Sequence, residues 1–321
     1  MWKWFTILSC LALASCSRCD GAKPPRGGDT GGLSLATVDS CSLPAMPGEG
    51  SFRVAADVAY QEVGGQRLAM DVAWPSSPGR KPLVVMIHGG GWSVGHRAQL
   101  ADEVKMMVNR GYAAATISYR LAGPGPKNPF PAAAHDVRCA VRFLMARAAD
   151  YNVDAKRVAL VGLSAGGHLA ALTAATGSDS RLDGPCPSGK APIKVRGVVS
   201  LYPPLDLRPA VFEQWTDEVK GIVTTFLGAP PARVPAAAAL ASPMTHVKAG
   251  LPPFLLVHSK LDTMVPIGQS RRFKAALDRV GVPALLVEVT SVGHGHPPFH
   301  GAPVLRRGTC TTLAFLDAVL K

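Results

Sequence analysis

The chain has 321 residues, 47% hydrophobic and only 17% charged, which supplies one large core or two small ones and excludes disorder throughout. Its 33 glycines and 28 prolines punctuate a globular sequence without reaching low-complexity levels. The formal net charge of +12 is spread over residues 51–321 in nothing longer than a basic pair such as Arg80-Lys81, with no zinc-finger or RNA-binding signature, so nucleic acid is not expected as a partner. An anionic surface or an acidic polysaccharide suits such dispersed charge better.

In chain order, Met1 to Ser15 has one Lys, a short apolar run from Phe5 to Ala14 and small residues after it. The run is too short to span a bilayer and has the shape of an export signal. Its end, Leu13-Ala14-Ser15-Cys16, resembles the bacterial lipobox, so residues 1–15 are expected to be removed and Cys16 lipidated as a membrane tether. Ordinary cleavage after Ala14 is the alternative, which would leave the protein periplasmic or secreted. Residues 16–50 carry Gly-Gly and Pro-Pro pairs and no apolar period, as a flexible spacer does. Residues 51–321 then form the folded domain.

Val54 to Gln61 and Gln66 to Trp74 read as paired strands around Gly64-Gly65. Leu83 to Ile87 is a buried strand, Ala98 to Arg110 a helix closed by Gly111, Tyr112 to Tyr119 a strand and Ala132 to Ala149 a long helix. Strand Arg157 to Gly162 leads into an Ala-rich helix, Ala165 to Ala175. Val195 to Tyr202, Pro253 to Ser259 and Leu285 to Val289 read as strands, Ile267 to Val280 and Leu305 to Leu320 as helices. This alternation predicts an α/β domain with a mostly parallel sheet and helices on both faces. Residues 207–251 break the rhythm; they hold an amphipathic segment, Val211 to Leu227, and suit a small insertion over a site. Cys139 and Cys186 are a first guess at a disulfide pair, Cys19, Cys41 and Cys310 being the other cysteines beyond Cys16; Cys139 suits a buried helical position equally well.

Gly162-Leu163-Ser164-Ala165-Gly166 joins a strand to a helix, the context a nucleophile elbow requires. The turn lifts the Ser164 hydroxyl off the sheet edge, and the following helix N-terminus favours developing negative charge. His88-Gly89-Gly90-Gly91-Trp92 follows another buried strand, and its glycines let backbone N–H groups turn inward. Gly90 and Gly91, with Ala165, are therefore candidates for an oxyanion hole, and Trp92 for a substrate contact.

HGGGW followed some 70 residues later by GLSAGGHLA resembles the α/β-hydrolase fold, and within it the hormone-sensitive-lipase-like and BD-FAE-like (feruloyl-esterase-like) carboxylesterases. Tyr119 to Ala122, Phe130 to Ala132, His135-Asp136, Tyr202 to Asp206 and Ala241 to Pro243 fit the same pattern, over roughly residues 52–320. The resemblance implies a serine carboxylesterase for acylated carbohydrate or another small ester; residues 17–50 lack the helical pattern of a cap, which leaves residues 207–251 as the main roof, so short-chain or aryl acyl groups are expected. It places the acid at Asp262, with Asp206 as competitor. It places the base at His294, with His296 and His300 as alternatives; His88 and His168 are expected to be structural. No carboxylate or Cys lies near the three late histidines at a ligand spacing, so neither metal nor cofactor is expected. A prolyl-oligopeptidase-like peptidase and a non-catalytic binding module on the same scaffold are the other readings.

Overall fold

The computed structural model describes residues 51–125, 127–290, 292–295 and 303–321, with side chains from Gly308 onward in the last stretch. The export signal, the spacer, Cys16, Cys19, Cys41, His296 and His300 lie outside the described residues.

β1 (Phe52–Val63) and β2 (Gln66–Pro75) pair antiparallel across Gly64-Gly65. β2 continues antiparallel onto β4 (Ala113–Ile117). β3 (Lys81–Ile87), β5 (Val153–Leu163), β6 (Gly197–Leu201), β7 (Phe254–Ser259) and β8 (Ala284–Val289) complete the sheet in the order β1-β2-β4-β3-β5-β6-β7-β8, parallel from β4 onward. The expected mostly parallel sheet is thus present.

The central strands are mostly apolar because helices cover both faces. Leu83, Val85 and Ile87 of β3 point into one core, with Val158 and Leu160 of β5 and Phe254 and Leu256 of β7. Val84 and Met86 point into the other, with Ala159, Val161, Leu255 and Val257. Helices α2 (Ala132–Ala146), α3 (Ala165–Ala175) and α7 (Gly268–Arg279) cover the first core, and α1 (Ala101–Asn109) and α8 (Pro303–Leu320) the second. No helix among the described residues is long and apolar enough to cross a membrane. Cys139 of α2 and Cys186 form a disulfide, with Cα atoms 5.4 Å apart.

Three expected elements differ. The helix expected from Ala98 begins as a 3-10 turn, Arg97–Leu100, because the His96 ring accepts the Ala98 N–H and Gln99 accepts the His96 N–H. β5 starts at Val153 rather than Arg157, extended by the pairing of Lys81 with Val153. Val211 to Leu227 is not one helix: α4 (Pro209–Phe212) stops, and Thr216 starts α5 (Asp217–Leu227) by accepting the Val219 N–H. α6 (Pro235–Ala241) completes the insertion.

Candidate active site

The sheet delivers its chemistry at the C-terminal ends of its strands, where open α/β sheets form their crevice. Gly89 to Trp92 follow β3, Ser164 follows β5, Tyr202 follows β6, Asp262 follows β7 and His294 follows β8.

Ser164 turns the chain from strand to helix with φ +52°, ψ −117°. That conformation costs on the order of 1–3 kcal/mol for a residue with a side chain, and its neighbours explain how it is held. A Cβ on Gly162 would sit 2.1 Å from the Gly166 carbonyl oxygen, and one on Gly166 would sit 2.1 Å from that of Ile87. Both positions are backbone against backbone, so the elbow admits no side chain at either. The Ser164 N–H is tied to Leu201 O at 2.8 Å. Trp92 (φ +59°) and Tyr202 (φ +40°) share this strained region of backbone and line the same cavity.

Ser164, His294 and Asp262 come together. The Ser164 hydroxyl donates to His294 Nε2 at 2.9 Å, and His294 Nδ1–H donates to Asp262 Oδ2 at 2.8 Å. Asp262 Oδ1 accepts the backbone N–H groups of Met264 (3.0 Å) and Val265 (2.8 Å). Burial by itself raises the Asp262 carboxyl, but hydrogen bonds from His258, His294 and the Val265 N–H outweigh it and hold the group well below the usual carboxylate range. Tyr202 sets its ring edge-on to His294, centroids 5.0 Å apart.

The competitor, Asp206, is elsewhere: its carboxylate grips Arg208 at 2.7–2.8 Å and its backbone is held by Gln269. His88 stacks on Tyr119 at 4.3 Å and bonds Gly89 O at 2.8 Å, bracing the Gly loop from behind. His168 is fully buried; it accepts the Trp92 indole N–H at 3.2 Å and donates to Ala241 O at 2.6 Å, linking the Gly loop to the insertion. Burial pushes both imidazoles down to about 4, so they are neutral at pH 7.

A cavity of about 680 Å³ opens above Ser164, walled by the Gly loop, by His294 and Tyr202, and by Trp215, Val219, Ile222 and Val223 of the insertion. Trp92 lies in its wall, 2% exposed and stacked on Phe226 at 4.1 Å, so its indole is as much an anchor for α5 as a surface for a ligand. Ile222 sits directly over the Gly loop: a Cβ on Gly91 would lie 2.9 Å from its Cγ2. Among the described residues no group of three or more His, Cys, Asp or Glu side chains is placed to hold a metal ion.

His258 was not anticipated. Buried in β7, it donates from Nε2 to Val265 O (2.7 Å), lies 3.3 Å from Asp262 Oδ2, and meets Ser270 Oγ at Nδ1 (2.8 Å). It ties the strand to both the carboxylate and the loop that carries it. Its position four residues before Asp262 was the available signal.

A BD-FAE family model matches residues 70–277. Esterase LipQ of Mycobacterium tuberculosis is 31% identical over 273 residues, covering 83% of this chain and 62% of the relative. A Thermogutta terrifontis esterase whose structure holds butyrate is 27% identical, covering 84% of this chain and 93% of that chain, with a TM-score of 0.66. A truncated carbohydrate esterase from gut microbiota, 22% identical, covers 86% and 99% with a TM-score of 0.74, a likeness of fold alone. The chain spans between 49% and 62% of the length of the curated relatives LipQ, LipM and LipC.

Proposed function

We propose that this chain, which belongs to the BD-FAE family of α/β-hydrolases, is a serine carboxylic-ester hydrolase working by two-step acyl transfer. The observation that carries the reading is the continuous relay from Ser164 through His294 to Asp262, at 2.9 and 2.8 Å, at the floor of a cavity rimmed by the Gly loop.

His294 Nε2 takes the Ser164 proton as Oγ attacks the ester carbonyl. The N–H groups of Gly90, Gly91 and Ala165 receive the oxyanion, and the N-terminus of α3 adds its positive end. The tetrahedral intermediate collapses, His294 gives its proton to the departing alkoxide, and the alcohol leaves the acyl group on Ser164. Water, deprotonated by the same imidazole, then releases the acid and returns the proton to Ser164. Asp262 stays ionised, fixes the Nδ1–H tautomer and stabilises the imidazolium. Trp92, though buried, forms part of the cavity wall.

Short-chain or aryl acyl groups, including those carried on carbohydrate, are the proposed substrates. The volume of about 680 Å³, roofed by Trp215 and Ile222, supports a small acyl group, as does the relative solved with butyrate. A panel of acetyl, butyryl, feruloyl and palmitoyl esters beside aminoacyl-prolyl amides tests this. Acetyl or butyryl esters turn over fastest; preference for palmitoyl esters or for the prolyl amides overturns it. We also propose export and a lipid tether at Cys16, on the N-terminal sequence; peptide mass spectrometry of the exported protein that finds no lipid on Cys16 contradicts the tether.

A further inference from the structure

A second cavity, of about 630 Å³, lies at the opposite end of the sheet. Its walls are the start of β5 (Ala155, Lys156), the residues leading into β6 (Pro192 to Arg196), those leading into β7 (Leu251, Pro252) and the end of α3. The regular run of β5 from Val158 to Leu163 alone separates this cavity from the Ser164 turn by about 16 Å at 3.3 Å per residue. Nothing bound here reaches the Ser164 hydroxyl.

Four cations line this cavity, Lys156, Lys194, Arg196 and Lys248, and no acidic residue does. All four are exposed, and none forms an ion pair among the described residues. Nearby arginines behave otherwise: Arg147 holds Asp150, Arg157 holds Asp154 and Arg181 holds Asp179. The carboxylate beside Lys156 is therefore already bound to Arg157. The carbonyls closing α3 are also occupied, since Arg138 donates to Thr176 O and the Thr176 hydroxyl to Leu172 O. Between the cations the floor is apolar: Met145, Ala174, Ile193 and Leu251. Cations around an apolar floor fit an amphiphile with an anionic head.

The path of the chain chooses among anionic partners. Ser51 enters the fold beside Ser76, and Phe52 pairs with Pro75. β2 is antiparallel to β4, so that point lies at the N-terminal ends of the parallel strands, the end that carries the cations. A planar surface held there leaves the catalytic cavity facing away from it, open to soluble esters. We propose that this face is a docking surface for anionic lipid headgroups, seated by Lys156, Lys194, Arg196 and Lys248, and that it sets the orientation of the enzyme on a membrane. This goes beyond the ester-hydrolase reading and stands without it.

The test is partitioning of the full chain onto vesicles of phosphatidylcholine alone and of phosphatidylcholine with about 30% phosphatidylglycerol. Any apolar insertion by the N-terminal segment acts on both vesicles, so their ratio isolates the charge effect. Each cation near an anionic surface is worth about fivefold in partition, so Lys194→Gln with Arg196→Gln lowers the phosphatidylglycerol preference roughly thirtyfold. Lys156→Gln with Lys248→Gln does the same, and Arg233→Gln with Arg272→Gln, which removes equal charge elsewhere, lowers it less than about threefold. Thermal unfolding of each variant verifies its fold. Equal losses from the groove and control pairs, no wild-type preference for phosphatidylglycerol, or displacement by millimolar inorganic phosphate each overturns the proposal.

Discussion

Replacing Asp262 by Asn tests how the relay works as a unit. The Asp262 Oδ1 position keeps two backbone donors, Met264 and Val265, so an Asn side chain puts its carbonyl oxygen there and turns its NH₂ toward His294. The imidazole must then present a lone pair at Nδ1 and carry its proton on Nε2, the atom 2.9 Å from Ser164 Oγ. A ring in that tautomer donates to the nucleophile instead of accepting its proton. Loss of the base in this way costs about 10³–10⁴ in kcat/KM, or roughly 4–5.5 kcal/mol of transition-state stabilisation. Hydrolysis of p-nitrophenyl butyrate measures it, with Asp206→Asn in parallel. Asp206 serves Arg208, so its variant stays within about threefold of wild type. An Asp262→Asn enzyme retaining more than a tenth of wild-type kcat/KM, or an equal collapse in Asp206→Asn, refutes the reasoning.

Other expectations concern the supports of the site. His88 and His168 stay neutral in the fold down to about pH 4, whereas the unfolded chain protonates histidine near pH 6.5. The unfolded state binds more protons across that window, so stability is present at pH 7 and falls between pH 6.5 and 4, by roughly 3 kcal/mol for each ring; denaturant titrations that give equal stability at pH 7 and pH 4.5 contradict this. Asp262 has the opposite character, its lowered folded value adding stability above about pH 4 that is lost as pH falls through the folded value. Gly91→Ala drives a methyl into Ile222, and Ile222→Ala in the same chain restores part of the lost turnover; a double variant no better than Gly91→Ala argues against that contact. The Cys139–Cys186 bridge closes a separation of 47 residues, so replacing both by Ala lowers unfolding free energy by about 2–4 kcal/mol, and a change below about 0.5 kcal/mol denies it a stabilising role.

What could be read from the sequence was mostly local. The elbow was legible because its glycines are required by contacts within a few residues and with the adjacent strand β3, and the strands because both their faces are apolar. The choice of Asp262 over Asp206 came from resemblance, since both follow strands in permissible order; the fold separates them by giving Asp206 to Arg208 and Asp262 to His294. His258 was missed because its role depends on which face of β7 it occupies and on the return of the Val265 loop beneath it. Trp215 and Ile222 were hidden in a stretch expected to be one amphipathic helix. Its period continues through Gln214 to Thr216, and only the Thr216 cap, a matter of backbone direction, breaks it and lets α5 lie over the Gly loop. Trp92 lines the cavity as its place after the glycines suggests, but its stacking on Phe226 involves a partner 134 positions away and was not legible.

The most direct measurement of the central claim is covalent capture of Ser164. Incubation with a fluorophosphonate, followed by peptide mass spectrometry, places one adduct per chain on the peptide containing Ser164, and p-nitrophenyl acetate turnover falls in step with labelling. In Ser164→Ala both adduct and turnover vanish while the unfolding midpoint is kept. Undiminished hydrolysis by a folded Ser164→Ala protein, or an adduct on another residue that abolishes activity, contradicts the account.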